Sequence, residues 1–376
     1  MIGTASSAAV NQDPAKEAGP TVKPSEHTRR VLFVVGHPAQ VHLFRNAILE
    51  LQQQGHETFV ASRKKEDTVA LLDAYGLEHE PLSKRGNSLS GLLVEQALRE
   101  KRLLALAREF RPDVIVSRLS PAAAHVSALL GCRNVVLTDT EFGTATLGRL
   151  NARLTLPFVD TVCAPENLDI PIGAPARRPM TVQELAYLHP QYFSPDPFAL
   201  AEFGIDLDTP YYVLRLSGWD AYHDVGHAGL SADGVRELVA FLSHHGTVYI
   251  SAEGDLPEDL AGFELPTPPE YVHDVLYYAD LYVGDSGTMS TEAAVLGTPA
   301  VRTNSMVGPA DEPVFGLLEE EYGLLQSFAD EDRAIMEVKR LVTEGPDRAE
   351  WHRRREALVA EHPNVTEQLV EIILEQ

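Results

Sequence analysis

Lysine is scarce in this chain: seven residues of 376, at 16, 23, 64, 65, 84, 101 and 339, leave arginine to carry most of the positive charge. Lysine and arginine together number 31 against 55 aspartates and glutamates, a formal net charge of −24. So acidic a chain is a poor match for a phosphate backbone, which excludes nucleic acid as the expected partner. It also disfavours electrostatic docking on anionic lipid, except where high salt screens the repulsion. The balance resembles that of proteins from salt-loving archaea, whose carboxylates keep the surface hydrated. Cysteine is nearly absent. Cys132 and Cys163 are too few for a disulfide framework, show no metal-ligand spacing, and read as buried thiols in apolar surroundings. No apolar run reaches the roughly 18 residues that a membrane span needs. Residues 1–28 are rich in Ala, Ser, Pro and Glu without a hydrophobic segment, so they read as a loose tail and neither a signal peptide nor a folded element. These absences point to a soluble, cytoplasmic protein. Attachment at the inner membrane face is the one membrane role they leave open.

What is present is a globular chain, 44% hydrophobic and long enough for two ordinary domains. Short apolar runs at Arg30–Val35, Glu57–Ala61, Leu77–Leu82, Asp113–Ser117 and Asn134–Thr138 alternate with helical patterns. Those helices are expected over Val41–Gln54, Thr68–Tyr75, Leu89–Phe110 and Pro121–Leu130. Strands alternating with helices predict a parallel sheet covered on both faces, with ligands collecting at the carboxyl ends of the strands. Three turns at that edge carry chemistry-bearing residues: His37 and His42 flank the first, Arg118 and Ser120 follow the fourth strand, and Asp139, Thr140 and Glu141 follow the fifth. His37 precedes Pro38, which bars it from helix and aims its ring into the cleft. Asp139 or Glu141 is a candidate base toward a hydroxyl.

Residues 165–210 hold eight prolines and little periodicity, and Ala164 to Pro210 reads as the passage between domains. The division expected is an N-terminal domain over 29–180, a crossing over 181–210, a C-terminal domain over 211–346 and a terminal helical segment over 347–376 that crosses back. The second alternating series opens with the strand Tyr211–Leu216. It runs into Ser217-Gly218-Trp219-Asp220-Ala221-Tyr222-His223-Asp224, a loop too rich in polar and aromatic groups for a plain connector. A helix over Ala232–His244, a strand over Thr247–Ser251 and a helix over Tyr271–Tyr278 follow. The series then reaches the stretch on which the reading turns. Leu281–Val283 suits a buried strand, Gly284 to Thr288 a tight polar turn, and Met289–Leu296 a helix stopped by Gly297 and Pro299. Strand, turn and helix N-terminus make an anion site, with Ser286, Gly287 and Thr288 facing a diphosphate and Glu292 within reach of a ribose.

Several of these segments coincide with motifs of the family known as DUF354. They are Gly-His-Pro-Ala-Gln-Val-His-Leu-Phe (36–44), Glu-Leu-Ala-Tyr-Leu-His-Pro (184–190), Val-Leu-Arg-Leu-Ser-Gly-Trp-Asp-Ala-Tyr-His-Asp (213–224), Val-His-Asp-Val-Leu-Tyr-Tyr-Ala-Asp (272–280) and the run from Asp285 to Pro299. The chain resembles that family over about residues 30 to 345. The family is in turn similar to the GT-B glycosyltransferases and the non-hydrolysing UDP-GlcNAc 2-epimerases. The resemblance implies an α/β, GT-B-like fold of two Rossmann-like parallel-sheet domains facing a cleft, with a nucleotide-diphosphate sugar bound by the C-terminal one.

Asp285-Ser286-Gly287 and Glu292-Ala293 match the epimerase pattern Asp-Ser-Gly-Gly-Ile-Gln-Glu-Glu-Ala, with Thr288 in place of the second glycine. This implies phosphate contacts from Ser286 and Gly287, ribose contacts from Glu292 and base recognition around Tyr271 and Val272. Donor contacts are further expected from Arg215, or Arg302, and from Ser217, Gly218 and Trp219. His37 or Glu141 is expected as base, with His223 and Asp224 orienting the donor. Where the epimerases carry paired glutamates after the fifth strand, this chain reads Arg149-Leu150-Asn151-Ala152-Arg153. Transfer to a glycan or lipid-linked acceptor is therefore the first expectation, with an epimerase or a non-catalytic nucleotide-sugar-binding protein as the alternatives. No obligatory cofactor or metal is expected, and nothing in the sequence indicates an oligomeric state.

Overall fold

A computed structural model of the chain describes residues 28–64, 67–84, 89–139, 146–168, 170, 175–217, 229–308, 311–345 and 347–375. Strands β1 (Arg30–Val35), β2 (Glu57–Lys64), β3 (His79–Lys84), β4 (Val114–Arg118), β5 (Arg133–Leu137), β6 (Thr161–Ala164) and β7 (Ala176–Pro179) form one sheet, in the order β3-β2-β1-β4-β5-β6-β7. Every pairing in it is parallel. Helices α1 (Pro38–Gln53), α2 (Thr68–Ala74), α3 (Leu89–Phe110), α4 (Pro121–Leu130) and α5 (Thr146–Thr155) are the crossovers. The second sheet, β12-β11-β10-β8-β9, is also parallel throughout. Its strands are β8 (Tyr211–Leu216), β9 (Thr247–Ala252), β10 (Leu281–Gly284), β11 (Ala300–Thr303) and β12 (Leu325–Phe328). Parallel strands need buried faces, and the unbroken apolar runs of β1, β4 and β10 are what such strands require.

Two short helices, α6 (Leu185–Leu188) and α7 (Pro197–Glu202), lie in the crossing. The C-terminal lobe adds α8 (Ala232–Leu242), α9 (Val272–Tyr278), α10 (Gly287–Leu296), α11 (Pro313–Gly316) and α12 (Glu331–Glu344). The chain ends in α13 (Arg348–Glu361) and α14 (Val365–Leu374). Three expectations need correction. The passage between lobes is shorter than Ala164 to Pro210, because β7 pairs with β6 and carries the first sheet to Pro179; its charged, exposed Ala-Arg-Arg-Pro composition hid it. The strand expected at Leu77–Leu82 lies at His79–Lys84. Helix α1 begins at Pro38, so His42 is a buried residue of the helix and does not flank the turn.

The lobes share one continuous core, and α6 rivets it. Asn46 Nδ2 on α1 and Thr366 Oγ1 on α14 both donate to the carbonyl of Ala186, at 2.8 and 2.7 Å. On the opposite side the Tyr187 hydroxyl donates to Glu292 Oε1 on α10 at 2.8 Å. Leu185, Ala186, Tyr187 and Leu188 are all buried at this junction. A four-residue helix with no exposed face has a stability that comes from its neighbours and not from helix propensity.

Candidate functional site

Helix α10 enters the cleft through its N-terminus. Ser286 is the cap, its Oγ accepting from Met289 N at 3.3 Å, and Gly297 closes the far end at a φ of 81°. Ser290 and Thr291 turn their hydroxyls back onto the carbonyls of Ser286 and Gly287. Among the described residues the amides of Gly287 and Thr288 have no acceptor. Two unpaired N–H groups at the positive end of a helix are chemically able to seat an anion. Asp285 lies beneath it, its Oδ1 accepting from Ser217 N at 2.7 Å; burial raises its pKa above the ordinary carboxylate value. Gly229 approaches Asp285 so closely that a Cβ there would fall inside the carboxylate.

Two chambers meet at this point. The larger, of about 390 Å³, is lined by Arg215, Ser286, Thr288 and Glu292, by Thr267 and Val272, and by His37 and His42 from the other lobe. Arg215 is held by Ser251 Oγ at 2.8 Å and by Glu253 Oε1 at 3.1 Å. Glu292 is buried, and both of its hydrogen bonds fall on Oε1, from Tyr187 and from His273 Nε2 at 3.2 Å. Among the described residues its Oε2 has no hydrogen bond. His273 packs edge-on against His42 with ring centroids 4.6 Å apart. Burial, then the charge of His273, holds His42 well below the usual histidine range.

The smaller chamber, of about 210 Å³, lies on the other side of Thr288 and shares His37 and Ala39 with the first. Gly287, Thr288 and Thr291 of α10 form one wall; Arg118, Asp139, Gln183, Glu184 and Glu312 form much of the rest. Arg118 makes a bidentate ion pair with Asp139 and donates to Gln183 Oε1 at 2.7 Å. Burial, then the charge of Asp139, pushes Glu184 up to about 8 and Glu312 up to about 7. Helix α10 thus contributes N–H groups, while Glu184 from the crossing and Glu312 from the segment before α11 contribute carboxyl groups near neutrality.

Of the residues singled out from sequence, the structure brings Ser286, Thr288, Glu292, Arg215, Val272 and His37 to the larger chamber. Gly287 and Asp139 line the smaller. Tyr271 packs its ring against Phe203, with centroids 5.1 Å apart, and is not part of either wall. Arg302 is also elsewhere: it is 1% exposed, paired with Asp311 at 2.5 Å and stacked on Phe315, so it cannot face a phosphate. Ser217 is tied by its amide to Asp285 and serves the turn. Glu141, Gly218, Trp219, His223 and Asp224 lie outside the described residues. His37 caps α1, its Nδ1 accepting from Ala39 N at 3.3 Å, which assigns the proton to Nε2 and suits the ring to donate rather than to act as a base. Sequence reasoning missed Gln183, Glu184 and Glu312 as site residues. Glu184 opens a motif and Glu312 precedes Pro313, yet nothing in either segment says they meet across the cleft.

No helix among the described residues is long and apolar enough to cross a membrane. The fold is that of known two-domain proteins. The chain is similar to a UDP-GlcNAc 2-epimerase from Neisseria meningitidis, solved with UDP-GlcNAc bound (TM-score 0.64, 15% identity, 92% of this chain and 100% of that one). It is also similar to the spinosyn forosaminyltransferase SpnP (TM-score 0.61, 16% identity, 93% and 100%). In sequence it is 25% identical over 273 residues to the uncharacterised protein MJ0665 of Methanocaldococcus jannaschii, covering 69% of this chain and 77% of that protein. The model of the family described as protein of unknown function, DUF354, matches residues 31–308, and the chain belongs to that family.

Proposed function

We propose that this chain is a GT-B-type glycosyltransferase that takes a nucleotide-diphosphate sugar as donor. The observation that carries the reading is the open N-terminus of α10, with the unpaired amides of Gly287 and Thr288 giving onto a chamber of about 390 Å³ that Arg215 and Glu292 also line. A leaving diphosphate needs fixed positive dipoles where its charge develops, and this site supplies them without reorganisation. Arg215, a guanidinium paired with Glu253, adds donors on the same wall, and the unbonded Oε2 of Glu292 is an acceptor for ribose hydroxyls. The acceptor is a glycan or a lipid-linked molecule, reached from the N-terminal lobe. Calorimetric titration with UDP, GDP and their sugars tests the reading. Binding is expected, with Glu292→Gln weakening it by roughly 1–3 kcal/mol, as for a lost charged hydrogen bond. No binding of any nucleotide, or unchanged affinity in that variant, defeats the assignment.

A second reading, sugar-nucleotide epimerisation, gains from one observation: Asp139, Glu184 and Glu312 gather around the smaller chamber. Proton abstraction at a sugar carbon needs an acid and a base with separated pKa values. Turnover in deuterated water separates the two reactions, since only epimerisation carries deuterium into the ring.

A further inference from the structure

The side chain of Gln183 is 3% exposed, and its Oε1 accepts from Arg118. Its Nε2 is buried and has no hydrogen-bond partner among the described residues. Buried amide donors are nearly always paired, and because the residue borders a chamber, a small shift of its amide would bring this orphan onto a ligand acceptor. Gln183 lines the smaller chamber, and the next residue along the chain, Glu184, lines it too. The volume there, about 210 Å³, is of the size of one sugar ring and not of a nucleotide. The opposite wall is the first turn of α10, where the diphosphate is seated in the reading above.

Building on that reading, we propose that Glu184 is the catalytic base of the transfer and that Gln183 holds the hydroxylated ring beside it. The acceptor oxygen forms the new bond to the anomeric carbon. The bond from that carbon to the diphosphate oxygen breaks, and its electron pair leaves with the nucleotide. The acceptor proton passes to a carboxylate oxygen of Glu184. Neither Asp139 nor His37 fits this role as well: Asp139 has both oxygens on Arg118, and His37 has its Nδ1 on Ala39 N. The groups facing Glu184 are Asp139 at the end of β5, Arg118 at the end of β4, Glu292 on α10, and Tyr187 and Gln183 beside it in the chain. Glu312, on the segment before α11, lines the same chamber. Asp139 and Glu292 oppose ionisation of Glu184 and Arg118 favours it, with burial the largest influence. The base form therefore accumulates only as pH approaches about 8.

The test is calorimetry with UDP and with UDP-GlcNAc from pH 6 to 9, joined to the release of UDP from UDP-GlcNAc with water as acceptor. In the wild type, the ratio of UDP-GlcNAc to UDP affinity is expected to change across pH 8. Glu184→Gln removes that change and lowers UDP release about 100-fold or more, with UDP affinity within twofold. Gln183→Ala lowers the affinity ratio about tenfold, again with UDP itself unaffected. A chain that binds neither probe, nor GDP and its sugars, refutes the parent reading of α10. A chain that binds both, with a ratio indifferent to pH and to both substitutions, overturns this inference while leaving the nucleotide seat standing.

Discussion

Helix α1 and helix α10 each follow a buried strand through a glycine and a capping side chain, His37 in one lobe and Ser286 in the other. At α1 the free amides are used internally. Gly36 N donates to Gln40 Oε1 at 2.7 Å, Ala39 N to His37 Nδ1, Gln40 N to the His37 carbonyl, and Pro38 has no N–H. At α10 the cap takes only Met289 N, and the amides of Gly287 and Thr288 stay open. The packing differs as well. Helix α1 keeps exposed residues along one side, whereas Met289 to Leu296 of α10 are buried without exception. The same local device is closed in one lobe and open in the other, and only the open one can take an anion.

The comparison breaks most readily at Glu292. Glu292→Ala strands the Tyr187 hydroxyl and His273 Nε2, each at about 1–3 kcal/mol, so urea unfolding should show a loss well above that of His42→Phe on α1. His42→Phe gives up one 3.3 Å bond to the Tyr75 hydroxyl. Next come the two glycines. A Cβ on Gly284 would lie 2.8 Å from the Arg215 carbonyl oxygen and 2.8 Å from its Cβ, whereas on Gly36 the nearest atom is 3.8 Å away. Gly284→Ala should cost about 1–3 kcal/mol, and Gly36→Ala close to none.

A pH experiment sharpens the contrast between lobes. The folded-state pKa of Glu184, about 8, lies above the ordinary glutamate value of 4.5. Below pH 4.5 the group is protonated folded or unfolded; above it the unfolded chain ionises first, and wild-type stability declines until about pH 8. Glu184→Gln lacks that decline, so its stability relative to wild type should rise between pH 5 and 8, by about 1.4 kcal/mol for each pH unit. Smallest is the pair of caps. Ser286→Ala should lose about 1 kcal/mol and weaken UDP binding, and His37→Ala should lose about half as much stability.

Much of the frame was legible because periodicity and burial agree. Helices α3 and α4 and strand β8 span the residues that their apolar patterns mark out. The α10 unit was legible for a further reason: Ser286, Gly297 and Pro299 are start and stop signals in the chain itself. Strand β7 was not, since two adjacent arginines, one exposed and one half-buried, at a sheet edge carry no hydrophobic alternation. Arg302 misled because a position near a strand end says nothing of side-chain direction, and Phe315 and Asp311 claim the guanidinium. The carboxyl chamber was invisible for a topological reason. Asp139, Glu184 and Glu312 come from three segments far apart in sequence, joined only when α6 locks between α1 and α10.

The ending of the chain bears on motion. Helix α13 lies against α10, its Arg355 donating to the Val295 carbonyl at 3.2 Å, while α14 belongs to the first lobe, where Arg133 holds the carbonyls of Ile372 and Glu375 at 2.7 and 2.9 Å. The polypeptide therefore passes between lobes twice, once on each side of the C-terminal sheet. Two bodies joined by two passages of chain as well as by a common core cannot swivel freely, so any change in the width of the cleft has to be taken up by both passages together.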